Sequence, residues 1–216
     1  MHNTVKNLIY IEELIKVKAN HDKLPTIIAV SKTFPIENVL PLIEHGHLHY
    51  GENKVQEALE KWTDIKNKNH NIQLHLIGRL QTNKVKFALK IFDYIHSLDS
   101  EKLANKIADE QEKQNKKPKI FIQVNLGNED QKSGINKKNL NDFYKFCKNL
   151  NLNIIGTMCI PPNDGNTKKY FLEMNDISKE LNFKELSMGM SGDYLEAVEN
   201  NATYIRVGSK IFGSRT

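Results

Sequence analysis

Apolar and polar positions along this chain follow two periods that take turns from one end to the other. Short runs carry a buried or alternating strand pattern, and longer stretches repeat their apolar residues every three or four positions, as one helix face requires. An opening helix is predicted over residues 4–19, followed by a buried strand at Thr26–Val30 and a helix over 36–45 with Val39, Leu42 and Ile43 on one face. A strand at 48–51 precedes a helix carrying Val55, Ala58, Leu59 and Trp62; a strand at 73–77 precedes a helix over 84–89. After a strand at 94–98, Ser100 is placed to cap a helix containing Leu103 and Ile107. The clearest strand is 119–126, where Ile120, Ile122 and Val124 alternate with Phe121 and Gln123. Helix 140–150, strand 153–158, helix 168–181, strand 185–188, helix 194–200, strand 203–207 and a last helical turn at 209–212 complete the pattern.

Repeated βα units imply a parallel sheet, and eight of them with short connections imply closure into a barrel. The expected fold is therefore α/β, a single (β/α)8 TIM-type barrel spanning residues 1–216 with an extra N-terminal helix. A doubly wound sheet would carry a glycine-rich first turn, whereas the first strand here runs into Ser31-Lys32-Thr33. The chain ends at Thr216, directly after the last predicted helix, so no second β domain is expected.

Composition changes this picture little. Apolar residues are 39% and charged residues 26% of the chain, an ordinary globular balance. The net charge of +5 raises the question of nucleic acid, but the excess is lysine; the only arginines are Arg79, Arg206 and Arg215. Arginine dominates base readout and bidentate phosphate contacts, so a solvated lysine coat without a nucleic-acid partner is expected. Cys147 and Cys159 are far apart and in no metal-ligand spacing, and no metal is expected; Cys147 falls on an apolar helix face. No apolar run suggests a signal peptide or membrane span, which points to the cytoplasm.

In a barrel the chemistry sits at the C-terminal ends of the strands. Lys32 ends the first, apolar strand there. A desolvated lysine becomes a free amine able to form a Schiff base; the alternative is a lysine snorkelling out of the rim. The stretch Ser187-Met188-Gly189-Met190-Ser191-Gly192-Asp193 follows strand seven, and Arg206-Val207-Gly208-Ser209 ends strand eight. Each suits a backbone anion cradle as well as ordinary helix capping. Loops seven and eight are where barrels commonly hold phosphate, and closure puts strand eight beside strand one. An amine next to a phosphate cradle suits a phosphorylated aldehyde such as pyridoxal 5′-phosphate (PLP).

The motifs AVSKT (29–33), YGEN (50–53) with Val55-Gln56-Glu57, HLIGRLQTNK (75–84), SLDS (97–100), VN (124–125) with KSG (132–134), GTM (156–158), GMSGD (189–193) and IRVGSKIFGSR (205–215) occur in order over nearly the whole chain. In these the chain resembles the PLP homeostasis proteins of the alanine racemase N-terminal-domain-like group. It departs from them in a short stretch around 161–166 and in Gly192-Asp193, where the family carries more acidic variants. The resemblance implies that Lys32 holds PLP as an internal aldimine, that Ser191, Gly208 and Ser209 bind its phosphate, and that Arg206 faces the pyridine nitrogen. It also implies that Asn53, His75 and Met158 line the pocket. Asn53 can reach the phenolic oxygen or cap the following helix, His75 lies mid-strand where a satisfied core histidine is the favoured reading, and Arg206 can instead be a rim salt-bridge partner.

Enzymes using PLP as a strong electron sink commonly place an acid on the pyridine nitrogen. An arginine is always cationic and can only donate to an unprotonated nitrogen. True alanine racemases resemble this arrangement but add a β-rich domain that brings a tyrosine base; here Tyr50 and Tyr194 are the candidates, without positional support. The expectation is a non-enzymatic, monomeric PLP carrier that serves PLP homeostasis and can hand the cofactor to apo PLP-enzymes. A weak amino-acid racemase is the alternative, and a Schiff-base aldolase acting on a phosphorylated sugar is a third reading.

Overall fold

The computed structural model describes residues 1–19, 24–127 and 133–214. Lys132 of the KSG motif and Arg215 lie outside the described residues. The elements follow the order α1 (Asn3–Lys18), β1 (Thr26–Val30), α2 (Leu40–Glu44), β2 (His49–Glu52), α3 (Val55–Lys68), β3 (Gln73–Leu76) and α4 (Val85–Ile91). Then come β4 (Tyr94–Leu98), α5 (Glu101–Gln114), β5 (Lys119–Asn125), β6 (Ile135–Asn136), α6 (Leu140–Asn149) and β7 (Ile154–Cys159). The chain continues through α7 (Thr167–Glu180), β8 (Glu185–Met190), α8 (Tyr194–Glu199), β9 (Tyr204–Val207) and α9 (Ser209–Phe212).

The strand order is β4-β3-β2-β1-β9-β8-β7-β5-β6, and the β4–β5 pairing closes eight of these strands into a barrel. The pairings are parallel, with β1 locked to β9 from Thr26↔Tyr204 to Ala29↔Val207. The short β6 lies on β5 through Val124↔Ile135, and two residues are too few to leave a period-two signature in the sequence. The helix expected over 36–45 splits into a 3-10 turn, Ile36–Asn38, and α2. Pro41, which has no N–H to donate, takes a place in the first turn of a restarted helix.

Two cores follow from strand alternation. Outward residues such as Ala29, Leu74, Ile95, Ile120 and Ile205 pack with Leu8, Trp62, Ile107 and Phe171 of the surrounding helices. Inward residues Ile28, Val30, Tyr94, Phe121, Met158 and Tyr204 fill the barrel itself. Ser100 caps α5 by accepting from Leu103 N–H at 3.4 Å. Four helices end on asparagines in the left-handed region, Asn115, Asn151, Asn182 and Asn201. In each case the next residue donates back across the end, as in Leu152 N–H to Cys147 O at 3.1 Å and Phe183 N–H to Ser178 O at 2.8 Å. This closure usually falls to glycine, and asparagine tolerates it next best.

Candidate functional site

The C-terminal ends of the strands open on a cavity of about 900 Å³. Lys32, Asn53, Ser191, Arg206, Gly208 and Ser209 all line it. Each enters from a strand end or the turn after it: Lys32 beyond β1, Asn53 beyond β2, Ser191 beyond β8, and Arg206, Gly208 and Ser209 on and after β9.

Lys32 is half-buried, in a turn that its neighbours hold in place. Phe34 N–H donates to Ser31 O at 3.1 Å, and Thr33 N–H donates to Glu57 Oε1 at 2.7 Å. Ser31 Oγ donates to the buried Glu52 Oε1 at 2.8 Å, and Lys61 Nζ donates to Ser31 O at 2.9 Å. Thr33 sits at φ 67°, a rare conformation for a β-branched residue. Backbone strain kept in place by surrounding bonds is a feature of sites that fix one side chain.

Beside Lys32, loops seven and eight meet. Gly208 N–H donates to Ser191 Oγ at 3.1 Å, and Asp193 Oδ1 pins the loop by accepting from Met190 N–H at 2.6 Å. A Cβ on Gly208 would stand 3.3 Å from Val30 O, so glycine lets this backbone close onto β1. Arg206 is 4% exposed, and its position is fixed from two sides. Nη1 donates to Ser187 Oγ at 2.7 Å and Nη2 to Cys159 O at 2.8 Å. Burial lowers its basicity while Cys159 and Asp193 act the other way; a guanidinium begins so basic that it keeps its charge. The Cys159 thiol is pushed up to about 12 by burial, in spite of Arg206.

His75 and Met158 stand beneath the cavity instead of on its wall. His75 lies inside β3 two residues before Ile77, which does reach the cavity, and it bonds to His49 and His96. Met158 belongs to the barrel interior, and Ile160, two residues on, takes the wall position. Asn53 is not the cap of α3; Lys54 holds that place. Tyr50 is fully buried and donates its hydroxyl to His47 O, and Tyr194 is buried on α8; neither lines the cavity. Four polar lining residues were given no role from the sequence: Arg79 at the exposed rim, Gln123, and Asn125 and Ser133 of the VN and KSG motifs. Gln123 donates to Ser133 O at 3.0 Å. The inward alternation of 119–126 carries a signal for Gln123 and Asn125.

An amine, a fixed cation and a backbone-hydroxyl cradle on one wall-to-wall cavity suit a flat molecule with an electrophilic carbon and an anionic end. A family model described as the alanine racemase N-terminal domain matches residues 11–216. The pyridoxal phosphate homeostasis protein of Aquifex aeolicus is 37% identical over 88% of this chain and 86% of its own length. That of Pasteurella multocida is 35% identical over 97% of each. The chain belongs to the pyridoxal phosphate homeostasis protein family. PipY of Synechococcus elongatus, solved with PLP bound, is 31% identical with a TM-score of 0.86, and the match covers 97% of this chain and 100% of PipY. An alanine racemase of Clostridium difficile shares the barrel at a TM-score of 0.74 and 15% identity; this chain spans 57% of it. That likeness is one of fold.

Proposed function

We propose that this protein binds PLP covalently through Lys32 and serves PLP homeostasis as a carrier, with one barrel domain over residues 1–216 holding the whole site. The observation that carries the reading is the shared cavity of Lys32, Arg206 and the Ser191–Gly208–Ser209 cradle. The fit is specific. Gly208 leaves room where a Cβ would close on Val30 O, and its N–H and Ser191 Oγ already face each other at 3.1 Å. PLP supplies an aldehyde reactive toward amines and a conjugated ring. Lys32 would hold the aldehyde end covalently, with loss of water, Ser191 with the Gly208 and Ser209 backbone would hold the phosphate, and Asn53 would reach the phenolic oxygen. Arg206 would donate to the ring nitrogen. His75 and Met158 support the floor without touching the ligand.

A carrier is favoured over an enzyme because Arg206 cannot accept a hydrogen bond from a protonated ring nitrogen, and an unprotonated ring stabilises a carbanion less. The tyrosines that would supply a second base lie away from the cavity. The names of the relatives support the same reading, and PipY's PLP-bound form supports the cofactor. Apo PLP-enzymes are the partners this reading implies, with the protein a monomer in the cytoplasm; among the described residues no helix is long and apolar enough to cross a membrane. Borohydride reduction of the PLP-loaded protein, followed by peptide mass mapping, is expected to place the added mass on the Lys32 peptide. Label on another lysine would overturn the assignment. Incubation with L-alanine and chiral analysis should give no appreciable D-alanine; steady turnover would move the protein to the racemases.

A further inference from the structure

Below the cavity an unbroken line of hydrogen bonds runs down the barrel interior. Arg206 Nη1 donates to Ser187 Oγ at 2.7 Å, Ser187 Oγ meets His96 Nδ1 at 2.9 Å, His96 Nε2 meets His75 Nδ1 at 3.0 Å, and His75 Nε2 meets His49 Nδ1 at 2.9 Å. Five strands contribute, β9, β8, β4, β3 and β2. Ser187, His96 and His75 are fully buried, and His49 is half-buried beside a second opening near α1. The rings are clamped by stacking, His75 on Tyr94 at 4.1 Å and His96 on Phe121 at 4.3 Å.

We propose that these residues form a one-way hydrogen-bond relay in which Ser187, His96, His75 and His49 position Arg206 and couple the cavity to the far mouth of the barrel. The direction follows from donor chemistry. An arginine only donates, so Ser187 Oγ accepts from it. Among the described residues His96 Nδ1 is the acceptor that meets the Ser187 proton, which would be left unpaired in the barrel interior if His96 donated instead. A neutral imidazole has one donor and one acceptor nitrogen. His96 therefore carries its proton on Nε2 and donates to His75 Nδ1, and His75 does the same toward His49. Burial holds His75 and His96 well below the ordinary histidine range, which keeps both rings neutral. A proton added to His49 Nδ1 would oppose the His75 N–H, and accepting it requires the line to reverse as far as Ser187. Protonation at His49 and the setting of Arg206 are thus linked.

Other groups bear on the same line. Glu12, Lys16 and His47 share the lower opening with His49, while Lys119 lowers and Asp93 raises its basicity. Tyr94 and Tyr204 flank the rings, with Lys119 on the Tyr94 hydroxyl and Glu185 near Tyr204; Cys159 and Asp193 face Arg206. None of them stands within the line itself.

The coupling to a ligand rests on the PLP reading above, but the relay is testable without PLP. Nitrogen-proton NMR of the full chain, free of cofactor, is expected to show His75 and His96 as neutral Nε2–H tautomers from about pH 5.5 to about pH 8. Nδ1–H or mixed tautomers would overturn the relay whatever PLP does. In His96→Phe, which can keep the stack on Phe121, the line no longer has to reverse, so the His49 titration should move upward. An unmoved His49 in a folded variant would count against coupling. Should that variant not fold, Ser187→Ala, which removes the first acceptor, is expected to disturb the His96 and His75 tautomers. Unchanged tautomers there would reject Arg206 as the origin of the direction. Finally, PLP added to the Lys32→Ala protein should shift the His96 nitrogen resonances. Binding without such a shift would leave the barrel line intact but detach it from the ligand.

Discussion

Glu52 is a carboxylate without exposure, between the barrel and α3. Its Oε1 accepts from Ser31 Oγ, Lys61 Nζ and Trp62 Nε1 at 2.8–3.0 Å. Lys61 is itself only 10% exposed at its side chain, so little water screens the pair. Removing one partner of a buried ion pair costs about 3–5 kcal/mol, because the other charge stays behind. Lys61→Met is therefore expected to lower the melting temperature by roughly 10 °C in a chain of this size. Lys61→Met with Glu52→Gln should recover part of that loss; no recovery would show that packing, not charge, set the cost. Through Ser31 the same carboxylate steadies the Lys32 turn. Lys32→Ala should leave the melting temperature near that of the parent yet abolish covalent PLP attachment. Arg206→Ala should weaken retention by about 10- to 100-fold, as expected for a hydrogen bond from a charged group, and spectral titration compares the two. Losses as large as those of Lys32→Ala would speak against the ring-nitrogen contact. Lys32, Arg206 and the small cradle residues were legible because barrel topology says where strand ends go. The Glu52–Lys61 pair and Ser187 were not, since their roles depend on partners brought in from other strands.

At the scale of the element, β8 departs from regular pairing between Ser187 and Met190. Gly189 lies in that irregularity at φ 88°, and a Cβ there would stand 2.5 Å from Ala197 Cβ. The register shift lies directly before Ser191, whose Oγ accepts from Gly208 N–H. Gly46, at φ 93°, has open space around its Cβ position. Gly46→Ala should therefore cost about 1 kcal/mol of backbone strain and leave PLP affinity unchanged. Gly189→Ala adds a clash with α8 and should lower both stability and PLP affinity. Urea unfolding and spectral titration separate the two, and equal affinities in both variants would refute a role for the register shift in shaping the cradle. The irregularity has no sequence period, so strand seven was read only to residue 188. Helix ends fared better: α6, α7 and α8 stop within one residue of the expected 150, 181 and 200, and asparagine closure explains why glycines were not needed. Pro41 marks the opposite case, a breaker inside a periodic stretch.

The barrel as a whole buries histidines that the unfolded chain would expose. Desolvation lowers His75 and His96 well below the ordinary value, lowers His47 to about 4, and lowers the half-buried His49 as well. Below about pH 6.5 the unfolded chain takes up protons that the folded barrel refuses, so its proton count exceeds that of the native state. Stability then falls as pH drops through that value, by on the order of 2 kcal/mol for each fully buried ring between about pH 7 and about pH 5. The lowered carboxylates act in a different window. Glu110, Asp164 and Glu199 lose their stabilising contribution only as pH falls below their unfolded values, about 4. A urea midpoint at about pH 5.5 should therefore lie clearly below that at about pH 7.5, before any carboxylate is neutralised. The surface lysine excess could mimic this if its repulsion grew with acidity, but added salt screens surface charge and barely reaches a buried ring. The expected slope persists in high salt and shrinks in His75→Phe, whose ring can keep the stack on Tyr94. A midpoint that stays flat with pH, or a slope abolished by salt, would mean that the interior histidines accept protons in the folded state, and the neutral line beneath Arg206 would go with them.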